Sequence, residues 1–228
     1  MIPPAVLLLA DSRLPSGGHA HSGGVEMAVT AGLVSTVDDL AVFLRGRVRT
    51  AGLTSAAFAA AACQLAQHAA PHWKPWDEAF SARIPTPSLR IASRAQGGAL
   101  LRTVSRMWRT PALRALAELG RPHQPLVLGA ATDAGGGQPA DAAALAVHHL
   151  IGGACSAAVR LLGLDPLDVA ATQAAIAPLA NQVATEAAVI AGNAVTANDP
   201  TLLPAVGGPL PELLAARHAR MEVTLFAS

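Results

Sequence analysis

Two histidines in a glycine-rich loop are the side chains whose types and spacing best suit a metal ion. His19 and His21 form a His-x-His pair, and imidazole nitrogens bind Ni²⁺ or Zn²⁺. A structural metal site needs further ligands, and no neighbouring cysteine or third histidine supplies them. His148 and His149 are adjacent on a predicted helix, about 100° apart around its axis, and cannot easily bind one ion together. We therefore predict a packed or solvent-facing loop without a metal site, and a metal site at His19 and His21 is the weaker alternative.

The same loop could bind an anion at the N-terminus of the helix that follows it. Its glycines precede a short helix that we expect to begin near Val25. Glu26 falls in the first turn of that helix and would repel an anion. A tight turn that lets helices approach closely is the better interpretation.

Catalytic motifs are missing from the sequence. Lys74 is the single lysine and no Gly-Lys-Ser or Gly-Lys-Thr occurs, which excludes a P-loop nucleotidase. Neither His-Glu-x-x-His nor Gly-x-Ser-x-Gly is present. An enzyme remains an alternative only if its catalytic groups converge from distant segments.

Arginines recur at multiples of four residues along one predicted helix. They are Arg90, Arg94, Arg102 and Arg106, followed by Arg109 and Arg114. Such a stripe favours an acidic protein partner over nucleic acid, because aromatic stacking residues are scarce. A solvated helix face is the alternative. Gly97 and Gly98 interrupt this alanine-rich helix, which indicates a close approach of another helix in the core or across a dimer.

Composition predicts an all-α fold. Apolar residues make up 52% of the 228 residues, aromatic residues 3% and charged residues 14%. Alanine is the best helix former, and strand-favouring β-branched and aromatic runs are rare. We expect a single compact helical-bundle domain over residues 1–228. The net charge of +1 offers no strong field for nucleic acid or an anionic membrane.

Capping residues, glycines and prolines divide the chain into predicted elements. We expect Thr36 and Asp39 to form a capping box. The predicted helices cover about 3–10, 25–31, 36–49, 54–70, 88–108, 112–119, 126–131, 141–162, 166–190 and 212–226. Residues 71–87 are predicted as a surface connector, 198–211 as a mobile loop and 212–228 as a C-terminal helix and tail.

Three further expectations follow from single residues and uncharged spans. Cys63 and Cys155 are predicted to be buried, reduced thiols. Arg160 lies in an otherwise uncharged stretch and is predicted to be structural and buried beside a carboxylate or helix carbonyls. Residues 50–73 and 142–159 lack the leucine and phenylalanine density of membrane helices, so we expect a soluble, cytoplasmic protein without a membrane partner.

Five local patterns, in order along nearly the whole chain, resemble the urease accessory protein UreF family. The patterns are Leu14-Pro15-Ser16-Gly17-Gly18 with Ser22-Gly23-Gly24-Val25-Glu26; Ser93-Arg94-Ala95-Gln96-Gly97 with Leu100-Leu101; His123 with Gly129; Ser156-Ala157-Ala158-Val159-Arg160-Leu161; and Arg217-His218 with Leu225-Phe226 and Ser228. The sequence departs from the family pattern where aromatic residues, glutamate and arginine are usual. The departing residues are His19, His21, Ala219 and Thr224.

The resemblance implies a non-catalytic scaffold with an all-α fold and no intrinsic cofactor. Members of that family join a UreD/UreH-type protein to the GTPase UreG, form a dimer in that assembly, and help deliver nickel into apo-urease. Residues expected to contact partners are Arg94, Gln96, Gly97, Arg102, Arg106, His218, Leu225 and Phe226. Residues expected to maintain the local structure of these motifs are Gly17, Gly18, Ser22, Gly24, Glu26, His123 and Arg160. Two alternatives stay open: a free-standing nickel-binding metallochaperone that uses the loop histidines, and an all-α enzyme.

Overall fold

The fold is a bundle of α-helices. The computed structural model describes residues 2–17 and 21–208, and no β-strand occurs among them. The helices are α1 (Pro4–Ala10), α2 (Val25–Thr30), α3 (Val37–Arg47), α4 (Leu53–Leu65), α5 (Lys74–Ala82), α6 (Pro87–Met107), α7 (Pro111–Ala117), α8 (Gln124–Ala134), α9 (Pro139–Leu162) and α10 (Pro166–Thr196). The prediction of an all-α fold is confirmed, whereas a single domain over the whole chain stays a prediction.

Local sequence signals set most helix starts. Thr36 and Asp39 form the predicted capping box, in which each side chain accepts a hydrogen bond from the other residue's backbone N–H. Proline occupies the first turn of seven helices, where a missing backbone N–H costs nothing. α3 does not end near Arg49 as predicted, because a π-helical turn, Val48–Gly52, connects it to α4.

The core is centred on α4, which packs against α8, α9 and α10. Six of its thirteen residues are alanine, and all six are buried. Gly129 of α8 faces this helix, and a Cβ atom there would lie 2.7 Å from both the Ala62 Cβ and the Cys63 nitrogen. Small side chains therefore bring the central helices unusually close. Cys63 and Cys155 are both buried and reduced, as predicted.

The predicted connector over residues 71–87 is wrong. The structure places α5 there and buries both Trp73 and Trp76. The Trp73 indole N–H donates to the carbonyl of Ala112 at 3.2 Å. The prolines of this segment misled the prediction: Pro75 lies in the first turn of α5, where proline is compatible with a helix.

The segment predicted as a mobile loop over 198–211 is anchored as far as the structure describes it. Arg83 donates hydrogen bonds to the carbonyls of Pro200, Thr201, Leu203 and Pro204 at 2.7–3.2 Å. The backbone forms a short 3-10 helix, Pro200–Leu202, and the Leu203 side chain is buried. One guanidinium thus satisfies four carbonyls that would otherwise need water. The predicted C-terminal helix and tail at 212–228 lie outside the described residues.

Two helices, α9 and α10, are long and apolar enough to span a membrane by length and composition alone. α9 packs against α4, α8 and α10, and more than half of its most apolar window is buried. Core helices of water-soluble bundles have the same composition, so the two lengths are weak evidence for a membrane span.

Candidate functional site

Arg94 is half-buried and makes its polar contacts within the bundle. Its guanidinium pairs with the Asp77 carboxylate at 2.7 Å and also donates to the Ser81 hydroxyl at 3.0 Å. The other terminal nitrogen donates to the carbonyl of Arg121 at 2.6 Å. The Arg94 side chain is 31% exposed and that of Asp77 only 8%. The residue therefore ties α6 to α5 and to the segment before α8.

His123 continues this network in the fully buried core. Its Nε2 lies 2.8 Å from the Ser81 hydroxyl and its Nδ1 3.0 Å from the Ser93 hydroxyl. Its backbone N–H donates to the second oxygen of Asp77 at 2.9 Å. Burial lowers the pKa of His123 to about 4, so the ring is neutral at pH 7. We call these connected residues the buried polar cluster: Asp77, Ser81, Ser93, Arg94 and His123.

Gln96 and Gly97, which belong to the same sequence motif as Arg94, also face inward. Gly97 is buried, and a Cβ atom there would overlap the Pro122 carbonyl oxygen and lie 2.9 Å from the Gln124 nitrogen. The close approach that the sequence indicated is therefore made by the segment leading into α8, within this chain. Gln96 is half-buried and lines a groove described below.

Four arginines near the end of α6 and in α7 remain at the surface. They form what we call the basic surface: Arg102, Arg106, Arg109 and Arg114. All four side chains are exposed, and none takes part in an ion pair among residues 2–17 and 21–208. The predicted stripe thus divides into an inward part, which includes Arg94, and an outward part available to another molecule.

The glycine-rich loop is held against α6. The Thr103 hydroxyl donates to the Pro15 carbonyl at 2.7 Å. Gly17 has φ 78°, and a Cβ atom there would meet the Ala99 side chain at 3.3 Å. A side chain at Gly17 would therefore be strained by both its backbone conformation and its neighbour.

The second half of this loop leads into α2. Gly24 is the N-cap of α2 with φ 89°, a left-handed conformation that favours glycine. Ser22 and Glu26 are buried, so the acidic side chain occupies the first turn where an anion would bind. His21 is half-buried, and burial lowers its pKa. Gly18 and His19 lie outside the described residues.

The structure does not gather the remaining histidines into a metal site. His149 donates through Nε2 to the Leu9 carbonyl at 2.7 Å, whereas His148 is exposed. In the part of the chain that the structure describes, no three His, Cys, Asp or Glu side chains lie together as metal ligands would. The role of His19 stays untested.

The prediction that Arg160 is buried is wrong. Its side chain is exposed on the last turns of α9, where it lines a groove of about 540 Å³. We call this cavity the central groove. It lies between α6 and α9, next to the N-terminal end of α4. Gly152 and Gly153 also line it. Ala157 and Ala158 are buried, and Val159 and Leu161 are half-buried. Arg160 lies on the exposed side of the same helix, so its uncharged sequence context wrongly suggested burial.

Sequence reasoning missed Asp77, Ser81 and Arg83. All three lie in or next to α5, within the proline-containing segment that was interpreted as a connector. The apolar spacing of Trp73, Trp76 and Phe80, at three and four residues, was the signal for a helix. The partner candidates His218, Leu225 and Phe226 lie outside the described residues.

Comparison with known proteins gives a consistent result over the chain. The family model of UreF matches residues 34–177. A urease accessory protein UreF of Mycobacterium sp. strain JLS is 44% identical over 225 residues, which is 98% of this chain and 97% of the relative. A urease accessory protein UreF of Mycolicibacterium vanbaalenii is 42% identical over 223 residues, with 98% and 97% covered. One of Mycobacterium tuberculosis strain CDC 1551 is 40% identical over 228 residues, with 98% of each covered.

The matched region contains the buried polar cluster, the basic surface and most of the central groove. The relatives are named as accessory proteins of urease. The chain therefore belongs to the UreF family of urease accessory proteins, and it is not an enzyme.

Proposed function

We propose that this protein is a scaffold that bridges a UreD/UreH-type protein and a UreG-type GTPase during delivery of nickel into apo-urease. Its membership of the UreF family carries this proposal, because the relatives are named as urease accessory proteins. The protein acts in the cytoplasm and has no intrinsic cofactor; nickel is cargo of the assembly.

The distribution of arginines supports a scaffolding role. The inward arginines satisfy carbonyls and a carboxylate within the bundle and give it a fixed shape. The basic surface keeps its charge exposed, and an exposed cluster of one sign steers an oppositely charged partner. We therefore assign the basic surface to an acidic partner of the assembly.

The exposed side of α10 supports a homodimer within that assembly. Leu167 is 78% exposed and Val189 is 62% exposed on this 31-residue helix. Between Asp168 and Glu186 the helix carries no charge. The exposed side chains within this stretch are mostly alanine, with Asn181, Gln182 and Thr185 as neutral polar ones. A long helix face without charge suits burial against a second copy of the same face.

Co-purification from cells that express the other urease accessory proteins tests the scaffold. We expect the chain to retain both the UreD/UreH-type and the UreG-type protein, and to be required for nickel-dependent urease activation. Capture of neither protein would refute the proposal. Equilibrium dialysis of the isolated chain against Ni²⁺ tests the alternative metallochaperone, because stoichiometric binding that is lost in His19→Ala/His21→Ala would favour that function instead.

A further inference from the structure

A small pocket opens at the corner between α6 and α7, beside the basic surface. It has a volume of about 380 Å³, and we call it the Trp108 pocket; its lining residues are Ser105, Trp108, Arg109, Thr110, Leu113 and Arg114. Pockets of roughly 300–1,000 Å³ hold small molecules, so this one has room for a single bulky side chain of another protein. It shares no lining residue with the central groove.

The Trp108 pocket has an apolar floor and a preformed shape. Leu113 is 1% exposed, and Trp108 is half-buried against the core. The Thr110 hydroxyl accepts a hydrogen bond from the Leu113 backbone N–H at 3.2 Å, which fixes the start of α7. The Trp108 backbone N–H donates to the Val104 carbonyl at 2.8 Å, which fixes the end of α6. An occupant would therefore meet walls that are already in place, and little binding energy would be lost in ordering them.

The Trp108 side chain differs from the two other tryptophans. Trp73 and Trp76 are fully buried, and the Trp73 indole N–H donates to the Ala112 carbonyl. The Trp108 indole N–H donates to no acceptor among residues 2–17 and 21–208. Trp108 therefore offers an occupant both an apolar ring face and a hydrogen-bond donor. Tryptophan and arginine are also the residues that most often dominate the energy of protein interfaces.

The charges around the Trp108 pocket are positive. From Ser88 to Ala117 the sequence contains six arginines and no aspartate or glutamate. Two arginines of the basic surface line the pocket, and the other two lie on α6 within three residues of Ser105 at its edge. None of these four takes part in an ion pair in the part of the chain that the structure describes. An occupant with carboxylates on both sides of an apolar side chain would complement this surface.

We propose that the Trp108 pocket receives one bulky apolar side chain from an acidic segment of a partner protein, whose carboxylates pair with the basic surface. A nucleic acid fits less well, because Trp108 is the single aromatic residue of the pocket lining and single strands bind by stacking on several rings. The inference rests on the proposed function only for the identity of the partner, which is the acidic protein of the assembly.

Binding of two synthetic peptides to the full-length chain tests the pocket without any partner protein. One labelled peptide is rich in glutamate and has a central leucine, and the other has serine in place of that leucine. Ser105→Trp is the pocket variant: Ser105 is exposed at the edge of the pocket, so a bulky side chain there is compatible with the fold and fills the space. Ala144→Trp is the matched control, because it places the same side chain at an exposed helix position outside the pocket. Circular dichroism checks that each variant is folded.

Fluorescence anisotropy of the labelled peptides measures the affinities. We expect the unmodified chain and Ala144→Trp to bind the leucine peptide at least about tenfold more tightly than the serine peptide, because burial of a leucine side chain is favourable. In Ser105→Trp the two affinities should differ by less than about twofold, because the pocket is filled. Arg109→Glu combined with Arg114→Glu should weaken binding of both peptides by at least about tenfold at low salt.

Equal affinities of the two peptides for the unmodified chain would overturn the proposal, because the surface would then bind acidic molecules by charge alone. A leucine preference that survives in Ser105→Trp would overturn it as well, and so would the absence of binding to either peptide. Tighter binding of a single-stranded oligonucleotide would assign the surface to nucleic acid instead. Failure of the co-purification experiment would leave these results unaffected, and failure of the peptides to bind would leave the scaffold proposal standing.

Discussion

The Arg94–Asp77 ion pair shows how one side chain can serve stability where sequence suggested partner binding. Asp77 is almost fully buried and accepts hydrogen bonds from both Arg94 and the His123 backbone. A buried carboxylate that loses its cation is strongly destabilising. The basic surface has no comparable intramolecular role in the described residues, so the two sets of arginines should respond differently to mutation.

Arg94→Ala should lower the free energy of unfolding by about 3 kcal/mol, because it leaves the Asp77 carboxylate buried without its cation. Arg102→Ala and Arg160→Ala should change it by less than about 0.5 kcal/mol, because both side chains are exposed. Urea unfolding of the three variants measures the difference. A loss of equal size in all three would contradict this division of the arginines.

His123 should make stability depend on pH. Its folded-state pKa of about 4 lies below the ordinary value of 6.5, so the unfolded chain binds more protons between these values. Stability is therefore full above pH 6.5 and falls as the pH drops toward 4. Between pH 7 and pH 5, the loss in unfolding free energy should be roughly 2 kcal/mol smaller in His123→Gln than in the unmodified chain. Urea titrations at both pH values measure it, and equal losses would contradict the assignment.

At the scale of helices, α6 contains two adjacent glycines whose surroundings differ. A Cβ atom at Gly97 would collide with the backbone before α8, whereas at Gly98 the nearest atom is the flexible end of Arg102 at 3.7 Å. Gly97→Ala should therefore destabilise the protein by at least about 2 kcal/mol. Gly98→Ala should stabilise it by about 0.5–1 kcal/mol through helix propensity. Thermal melting of both variants tests the pair, and shifts of the same sign would contradict it.

Helix identity was largely predictable from sequence because caps, prolines and alanine content act locally. The capping box of α3 and the start of α10 at Pro166 follow from neighbouring residues alone. The buried polar cluster was not predictable, since α5, α6 and the start of α8 must pack before Asp77, Arg94 and His123 can meet. A close approach at Gly97 was predicted, but the neighbour was expected to be another helix; it is the segment that leads into α8, which only tertiary packing brings there.

At the scale of the whole molecule, the basic surface and the exposed side of α10 are assigned to different partners: an acidic protein and a second copy of the chain. Arg102→Glu/Arg106→Glu should leave the melting temperature unchanged and slow association with the acidic partner, most visibly at low salt where attraction is least screened. Arg45→Glu/Arg49→Glu is the matched control, because both side chains are exposed outside the basic surface. Association kinetics at two salt concentrations measure the effect. If complex formation and urease activation are unchanged by the first pair, the basic surface is only a solvated face.

The exposed side of α10 gives a second prediction at this scale. Leu167→Glu combined with Ala174→Glu should leave the helix folded, because both side chains are exposed. The changes place charge on the surface assigned to the second copy, so the dimer should dissociate. Sedimentation of the assembly measures its mass, and an unchanged dimer would contradict that assignment.

The alanine-built centre of the bundle has a thermodynamic consequence. An alanine side chain exposes little apolar surface when the chain unfolds, and α4 buries six of them. The heat-capacity change of unfolding arises mainly from hydration of that apolar surface. Its value per residue should therefore fall below the usual value of about 12–15 cal/mol/K. A smaller heat capacity flattens the curve of stability against temperature. Cooling should therefore weaken this protein less than one whose centre is built from leucine and phenylalanine.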